Sequence, residues 1–437
     1  MSRAPIRLET LGLVAVLITG CGGSGGGTTT CTGADCGGGT GPPPTTVTLT
    51  FPGGVTLAAA QIGSSAFTVQ TLSANTLSLS IPSGTSNYAV AYLCPAQSTG
   101  QGETTEEAVW EASTADGTSE NLTCAYNSVS TAGTGALSGS LDATAIQGVT
   151  GFELYTQNGS SVMQEGVEGG ATATFSNLLA QDGNDRILVL AEGSQGVLAA
   201  KNFTNQTVPG ALNGGNTVVF GAGDETTTAA ISYNSVPAGF GSPSTYVTLQ
   251  MTGDTGLPAV LASQATTQYP VLPAAALESG DLYGFNAGAA SSTSTSGVYA
   301  GATNAGGTES LTFPAPWTYA GPTPSAQPTF TFDYTGISGK TDAYQEAMYS
   351  WPVGSSVSSS SNTDEIEVTA TLNYQAGSTT LAAPDLSGVT GFLSAPPTGT
   401  QVSWFAEVWQ SSYGFNWPPA SSSTSSSVAN SGSFTAP

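Results

Sequence analysis

Apolar and polar residues alternate along most of this chain in short runs, a pattern typical of β-strands. Thr76–Ile81 alternates strictly, and Thr46–Phe51 alternates β-branched and apolar residues. Glycine, proline, asparagine or aspartate fills nearly every gap between such runs. One segment differs, because Thr104 and Glu107 have the spacing of a capping box, which predicts a short helix over residues 104–112. Apart from that helix, the pattern predicts an all-β protein. The other predicted strands cover residues 88–93, 151–155, 186–191, 197–200, 216–220, 246–251, 329–334, 366–374 and 401–410.

The clearest local unit is a hairpin, in which Ile187–Ala191 and Val197–Lys201 flank the turn-forming residues Glu192–Gly196. This hairpin resembles the strand pairs of transthyretin-like or fibronectin-like modules in bacterial surface proteins. The short strands separated by turn residues favour tandem antiparallel β-sandwich modules of Ig or transthyretin type, each of roughly 80–110 residues, and the resemblance of this one hairpin supports that interpretation. We expect four such modules and a frayed, serine-rich tail, at residues 46–132, 133–225, 226–320, 321–420 and 421–437.

The N-terminus combines basic residues, a short apolar run and a cysteine. Arg3 and Arg7 precede the apolar run Leu11–Ile18, and Gly20 precedes Cys21. This segment resembles the lipobox of bacterial lipoproteins. The resemblance implies that residues 1–20 are a signal peptide and that Cys21 receives a diacylglyceryl group, with a further acyl chain such as palmitate on the new amino terminus. A secretory signal or a membrane-spanning anchor is the alternative, but the apolar run is too short to cross about 30 Å of hydrocarbon.

We expect residues 21–45 to be a flexible, lipidated linker, because they are almost wholly glycine, threonine, serine and proline. We expect the lipid to attach the protein to a membrane in the bacterial cell envelope. Gly22 follows the lipidated cysteine, and by resemblance to lipoprotein sorting this favours the outer membrane. The sequence leaves open whether the protein faces the periplasm or the cell surface.

The charge balance excludes several kinds of function. The chain has 5 Lys and Arg residues against 29 Asp and Glu residues, and its net charge at pH 7 is −24. A surface this acidic repels phosphates, so we expect no nucleic-acid partner. The chain has no histidine, which excludes Ser-His-Asp and Cys-His catalysis as well as histidine metal sites. We expect no cofactor.

Four cysteines besides Cys21 form an even set, as in exported proteins with two disulfides. Three connectivities are available. The positions along the chain favour Cys31 with Cys36 and Cys94 with Cys124, since each pair lies in its own region. A zinc site is the alternative use of these cysteines, and the missing histidines disfavour it.

Aromatic residues near the C-terminus are the best candidates for binding a ligand. In a strand, Trp404 points to one face while Phe405, Glu407 and Trp409 point to the other. Exposed aromatic rings stack on sugars or on apolar groups of a partner, and a nearby carboxylate accepts hydrogen bonds from hydroxyls. Packing in a sandwich core is the alternative role. The candidate ligand-binding residues are Phe405, Glu407, Trp409, Tyr413 and Trp417.

Carboxylates are the remaining catalytic candidates. Glycosidase-like chemistry needs two placed acids, for which Glu365 with Glu367, Glu407, and Glu106 with Glu111 are available. Alternation instead predicts that Glu365 and Glu367 lie on a solvated strand face. Asp254–Gly256 resembles the catalytic triplet of aspartic proteases, but the chain has no second copy. Residues 182–185 suit either a turn or a calcium loop.

These observations favour a non-enzymatic, lipid-anchored envelope protein with a binding or structural role and a glycan or an envelope protein as its partner. The alternative is a carbohydrate-binding or glycan-acting protein that uses the C-terminal aromatic residues. A third hypothesis, an acid-acting peptidase, rests on the missing histidines and the low isoelectric point.

Overall fold

The computed structural model describes residues 43–98, 103–124, 135–157, 170–180, 183–194, 196–253, 258–302, 306–333, 342–353, 362–411 and 424–437. The predicted signal peptide, Cys21, Cys31, Cys36 and most of the linker lie outside these ranges. In the part of the chain that is described, no helix has both the length and the apolar character needed to cross a membrane.

The protein is all-β, and its strands are numbered here along the chain. The strands up to residue 124 are β1 (Thr45–Thr50), β2 (Ala58–Ile62), β3 (Thr68–Gln70), β4 (Thr76–Ile81), β5 (Asn87–Leu93), β6 (Gln97–Ser98), β7 (Glu103–Ser113) and β8 (Ser119–Asn121). The next are β9 (Gly135–Asp142), β10 (Val149–Thr156), β11 (Thr172–Ala180), β12 (Gly183–Gly193), β13 (Gly196–Val208), β14 (Gly210–Ala211) and β15 (Val218–Val219).

The chain continues through the strands β16 (Thr227–Asn234), β17 (Ser244–Gln250), β18 (Ala259–Ala265), β19 (Gln268–Val271), β20 (Leu282–Ala290), β21 (Ser294–Ala302) and β22 (Glu309–Thr312). The last strands are β23 (Thr329–Thr331), β24 (Asp342–Val353), β25 (Asn362–Thr371), β26 (Thr380–Ala382), β27 (Gln401–Ser411) and β28 (Thr424–Thr435). The helical segments are the single turn α1 (Leu372–Gln375) and the 3₁₀ turns Leu212–Gly215, Ala222–Asp224 and Ala274–Ala276.

One large sheet of 13 strands joins distant parts of the chain. Its order is β18-β17-β20-β21-β28-β27-β24-β25-β7-β5-β2-β3, with β6 paired to β7. Smaller sheets are β4-β1-β8, β10-β12-β13, β11-β9-β14 with β15 on β9, β19-β16-β22 and β23-β26. The large sheet therefore contains strands from three of the four predicted modules and from the predicted tail. The module boundaries remain predictions.

Among the described residues, four clusters of buried apolar side chains lie between these layers. The first packs β1 and β4 on β2, β5 and β7. The second lies between β9 and β12, and the third between β12, β13 and the strands β16 to β21. The fourth cluster lies on the face of the large sheet opposite to the first cluster, at β24, β25 and β27. It includes aromatic residues from the segments at 313–333 and 380–393.

The predicted helix over residues 104–112 is wrong, because these residues form strand β7. Strand β7 lies inside the large sheet, parallel to β25 and antiparallel to β5. Its two faces contribute to different cores, with Val109 in the fourth cluster and Ala108 in the first. Glu107 does not cap a helix, since its carboxylate accepts a hydrogen bond of 2.8 Å from the backbone N–H of Leu393. Tertiary pairing on both sides therefore overrides the local helical signal.

The predicted frayed tail over residues 421–437 is also wrong. Strand β28 lies in the middle of the large sheet and pairs with β21 on one side and β27 on the other. Val428, Ala429 and Asn430 are buried. The serine-rich composition has no hydrophobic pattern from which this strand could be predicted. Small polar side chains nevertheless allow a full backbone ladder and fit between close neighbours.

The hairpin predicted from Ile187–Ala191 and Val197–Lys201 is present as β12 and β13. Strand β12 is buried on both faces, with Ile187 in the second cluster and Leu188 in the third. The second and third cores thus share one sheet.

A buried ion pair links β12 to the segment before β20. The guanidinium of Arg186 donates hydrogen bonds of 2.6 and 2.7 Å to the two carboxylate oxygens of Asp281, and both residues are buried. Burial raises the pKa of Asp281, but Arg186 and the backbone N–H groups of Glu278 and Thr252 outweigh this effect and hold it below the usual value.

We expect Arg186→Met to lower the free energy of unfolding by about 3–5 kcal/mol, because it leaves a buried carboxylate without its cation. Lys201→Met is the matched control, since the Lys201–Asp224 pair is more exposed and should be worth about 1 kcal/mol or less. Denaturant titration of both variants measures the difference. Equal losses would show that the Arg186 pair has no special role.

Candidate functional site: an aromatic and carboxylate face

The candidate site lies on the large sheet at β24, β25 and β27, on the face opposite the fourth core. Alternation sends Ala347, Tyr349, Trp404 and Val408 into that core. The intervening residues share the other face, which we name the aromatic–carboxylate face. Its members are Glu106, Tyr344, Glu346, Met348, Glu365, Glu367, Phe405, Glu407 and Trp409.

Aromatic rings form one part of this face. Tyr344 lies directly opposite Trp409 in the β24–β27 ladder. Their rings stack with centroids 4.9 Å apart and planes at 25°. Phe405 lies opposite Met348, and all four side chains are half-buried. The face therefore presents a stacked aromatic pair that is partly open to solvent.

The direction of each aromatic residue in β27 agrees with the expectation from alternation. Trp404 is buried on the core face, where its ring meets Tyr319 edge-on at 5.3 Å. Phe405, Glu407 and Trp409 lie together on the opposite face.

Carboxylates form the second part of the face. Glu346 lies directly opposite Glu407, and Glu365 lies beside Glu106 in the parallel β25–β7 ladder. Directly opposed residues place their Cβ atoms about 4.5–5.5 Å apart. Glu367, two residues after Glu365 in β25, has the same orientation. Glu106 and Glu365 are buried, whereas Glu346, Glu367 and Glu407 are half-buried.

Crowding and burial make these carboxyls weak acids. Burial raises the pKa of Glu346 well above its usual value, and the charges of Glu367 and Glu407 raise it further. Burial also raises the pKa of Glu367, with Glu106 and Glu365 adding to the shift. For Glu407, burial raises the pKa against a hydrogen bond from Ser427. Several of these groups therefore hold protons near neutral pH or require a cationic neighbour.

The described part of the chain supplies no cation to this face. Arg186 is held by Asp281 and Glu278, and Lys201 by Asp224. Among the described residues, therefore, no side-chain cation neutralises those carboxyls of the face that are ionised.

The expectation that Glu365 and Glu367 lie on a solvated strand face is wrong. Glu365 is 3% exposed, and Glu367 is half-buried. The reason is that β25 is an interior strand, and its neighbours β7 and β24 place Glu106 and Glu346 on the same face.

The other predicted site residues have different outcomes. Cys94 and Cys124 form a disulfide with a Cα–Cα distance of 6.0 Å, the pairing that the sequence favours. Tyr413 and Trp417 lie outside the described residues, as do Cys21, Cys31, Cys36 and the triplet at 254–256. Glu111 belongs to the opposite face of β7 from Glu106, so the structure does not bring these two acids together.

The candidate calcium loop is only partly described. Gly183–Asp185 begins strand β12, and the buried carboxylate of Asp185 accepts a hydrogen bond of 2.9 Å from the backbone N–H of Gln157. Asp185 therefore stabilises the join between neighbouring strands.

Sequence reasoning missed Tyr344 and Glu346, because β24 was not predicted. In Asp342–Val353 one set of alternate positions, 343 to 353, is apolar except for Gln345, so the sequence does carry a period-two signal for one buried face. The other available signal was the density of large residues at 344–351, which is typical of a buried strand.

Comparison with known proteins assigns no family. The sequence matches no protein-family model, and no curated protein is similar to it.

Proposed function

We propose that this protein is a non-enzymatic, lipid-anchored component of a bacterial cell envelope that binds a glycan on its aromatic–carboxylate face. The stacked, half-buried pair Tyr344 and Trp409, with Glu346 and Glu407 beside it, is the observation that carries the proposal. Aromatic faces bind the apolar side of a sugar ring, and neighbouring carboxyls hydrogen-bond its hydroxyls. The lipobox at Cys21 supports the location.

We expect Cys21→Ser to move the protein from the membrane fraction to the soluble fraction, because acyl chains supply about 0.8 kcal/mol of membrane binding per buried methylene. Fractionation of cells that express both forms measures this. Membrane retention of the variant would contradict the lipid anchor without affecting the glycan proposal.

We expect Trp409→Ala to weaken glycan binding by about thirtyfold or more, the loss of roughly 2 kcal/mol typical of a central aromatic contact. Tryptophan fluorescence and calorimetry of the full chain, titrated with cell-wall and environmental polysaccharides, measure the affinity. Phe203→Ala is the matched control, since Phe203 is half-buried on β13 and lies away from the face.

The panel also tests the role of the carboxylates. Neutral and amino-sugar polymers are expected to bind, whereas uronic-acid polymers should not, because like charges at the face would repel them. Absence of saturable binding across the panel, or equal binding by the Trp409→Ala protein, would overturn the proposal.

A glycoside hydrolase is the second candidate, and one observation favours it specifically. Glu346 and Glu407 are directly opposed, and retaining glycosidases place their two carboxyls about 5–5.5 Å apart. Raised pKa values in such a pair allow one carboxyl to stay protonated as the acid. Release of reducing ends that stops in both Glu346→Gln and Glu407→Gln would favour hydrolysis over binding alone.

A further inference from the structure

A buried carboxyl group lies against the Cys94–Cys124 disulfide. One carboxyl oxygen of Glu106 lies 3.3 Å from Cys94 Sγ. The two sulfur atoms and this oxygen all lie within 4.8 Å of one another, and the three residues are 4%, 6% and 2% exposed. The three donor atoms therefore lie close enough together to bind a single metal ion once the S–S bond is opened.

The donor set suits a thiophilic divalent cation. Thiolate and carboxylate are both zinc ligands, with bonds of about 2.3 Å from sulfur and about 2.0–2.2 Å from oxygen. Three protein ligands leave the fourth tetrahedral position for water. Glu365 lies in register beside Glu106 and adds negative potential that attracts a cation.

We propose that Cys94, Cys124 and Glu106 form a zinc site when the disulfide is reduced. A dithiol reductant supplies two electrons and two protons, so that the S–S bond breaks, each sulfur gains a proton, and the dithiol becomes a cyclic disulfide. Zinc then displaces the two thiol protons and takes the Glu106 carboxylate as its third protein ligand. Zinc thus links Cys94 and Cys124, which are 30 residues apart in the sequence, in place of the S–S bond.

The site has a structural consequence for the first core. Cys94 and Cys124 belong to that cluster with Tyr92, and loss of the disulfide alone would free the ends of the loop. A metal bound to the folded, reduced chain stabilises it by mass action. The same position therefore keeps the loop closed in both redox states.

The test uses the full chain with Cys21, Cys31 and Cys36 replaced by serine, so that only this pair titrates. A chromophoric chelator competes for zinc with the oxidised and reduced proteins, and cobalt in place of zinc reports thiolate ligation by its charge-transfer band. We expect one zinc per reduced chain, a higher Tm of the reduced chain with zinc, and no binding at this position in the oxidised chain.

Glu106→Gln keeps the disulfide and removes one zinc ligand. Loss of a residue that only hydrogen-bonds to a metal ligand already weakens metal binding by about tenfold or more. Loss of a direct ligand should therefore weaken zinc binding by the reduced chain by well over about tenfold. Glu111→Gln, on the opposite face of β7, is the matched control and should keep the affinity. Absence of zinc binding by the reduced chain, unchanged affinity in Glu106→Gln, equal binding by the oxidised chain, or a reduced chain that unfolds and is not restored by zinc would each overturn the proposal.

Discussion

A chain that ends at residue 423 is expected to lose the cooperative fold of the large sheet. Strand β28 makes eleven register pairs with β27 and seven with β21, so its removal exposes two strand edges at the centre of the sheet. It also removes Val428 and Ala429 from the buried set. We expect a loss of stability well beyond the ~4–5 kcal/mol reached by the most damaging single substitutions. Thermal and denaturant unfolding of the truncated chain measures it.

The matched control changes serine side chains of β28 and keeps its backbone. Ser431 and Ser433 are exposed, so their replacement by threonine should leave the unfolding midpoint nearly unchanged. A synthetic peptide of residues 424–437 should restore part of the lost stability by adding the missing strand. A truncated chain with the wild-type midpoint would show that β28 is peripheral.

The local sequence pattern was sufficient to predict strands whose pairing partner is the next strand along the chain. The hairpin of β12 and β13 was predictable because both strands are apolar runs around one turn. The failures at β7 and β28 have another origin. Strand β7 carries a local helical signal, and β28 has almost no hydrophobic pattern, yet each lies between two partners from distant parts of the chain. Pairing on both sides then decides the conformation in place of local preference.

The candidate site shows the same division. Alternation was sufficient to place Phe405, Glu407 and Trp409 on one face, since that depends only on the strand period. Their neighbours on the adjoining strands were not predictable. Glu106 and Glu365 lie side by side through a parallel ladder between strands far apart in sequence, and no periodicity within either strand encodes that register.

The fold is expected to be several kcal/mol more stable near pH 5 than near pH 8. Burial raises the pKa values of Glu107 and Glu111 from 4.5 to about 7, and those of Glu346, Glu367 and Glu407 are also raised. A carboxyl with a higher pKa in the folded chain contributes its full stability below the unfolded pKa and loses it as the pH rises through the folded pKa. A tenfold change in the acid dissociation constant corresponds to about 1.4 kcal/mol. Denaturant titrations from pH 4 to pH 9 measure the slope.

At low pH the trend reverses, and stability falls as the pH falls. The Arg186–Asp281 ion pair is the cause. The lowered pKa of Asp281 makes the Arg186 pair lose its contribution only as the pH falls through that value. Stability should therefore peak in mildly acidic solution. A profile that instead rises between pH 5 and pH 8 would contradict the burial of these glutamates.

Glutamine substitutions separate a structural role of the carboxyls from a binding role. Glu107→Gln removes a titrating group under the fourth core, so it should flatten the stability profile between pH 4.5 and about pH 7 and leave glycan affinity unchanged. Glu346→Gln should also raise stability at pH 8, because it relieves repulsion from Glu367 and Glu407, but it should weaken ligand binding on the aromatic–carboxylate face. A face that keeps charges at the expense of stability is typical of a site under functional demand. If Glu346→Gln stabilises the fold and leaves binding of every polysaccharide intact, the carboxylates of this face are not part of the binding site.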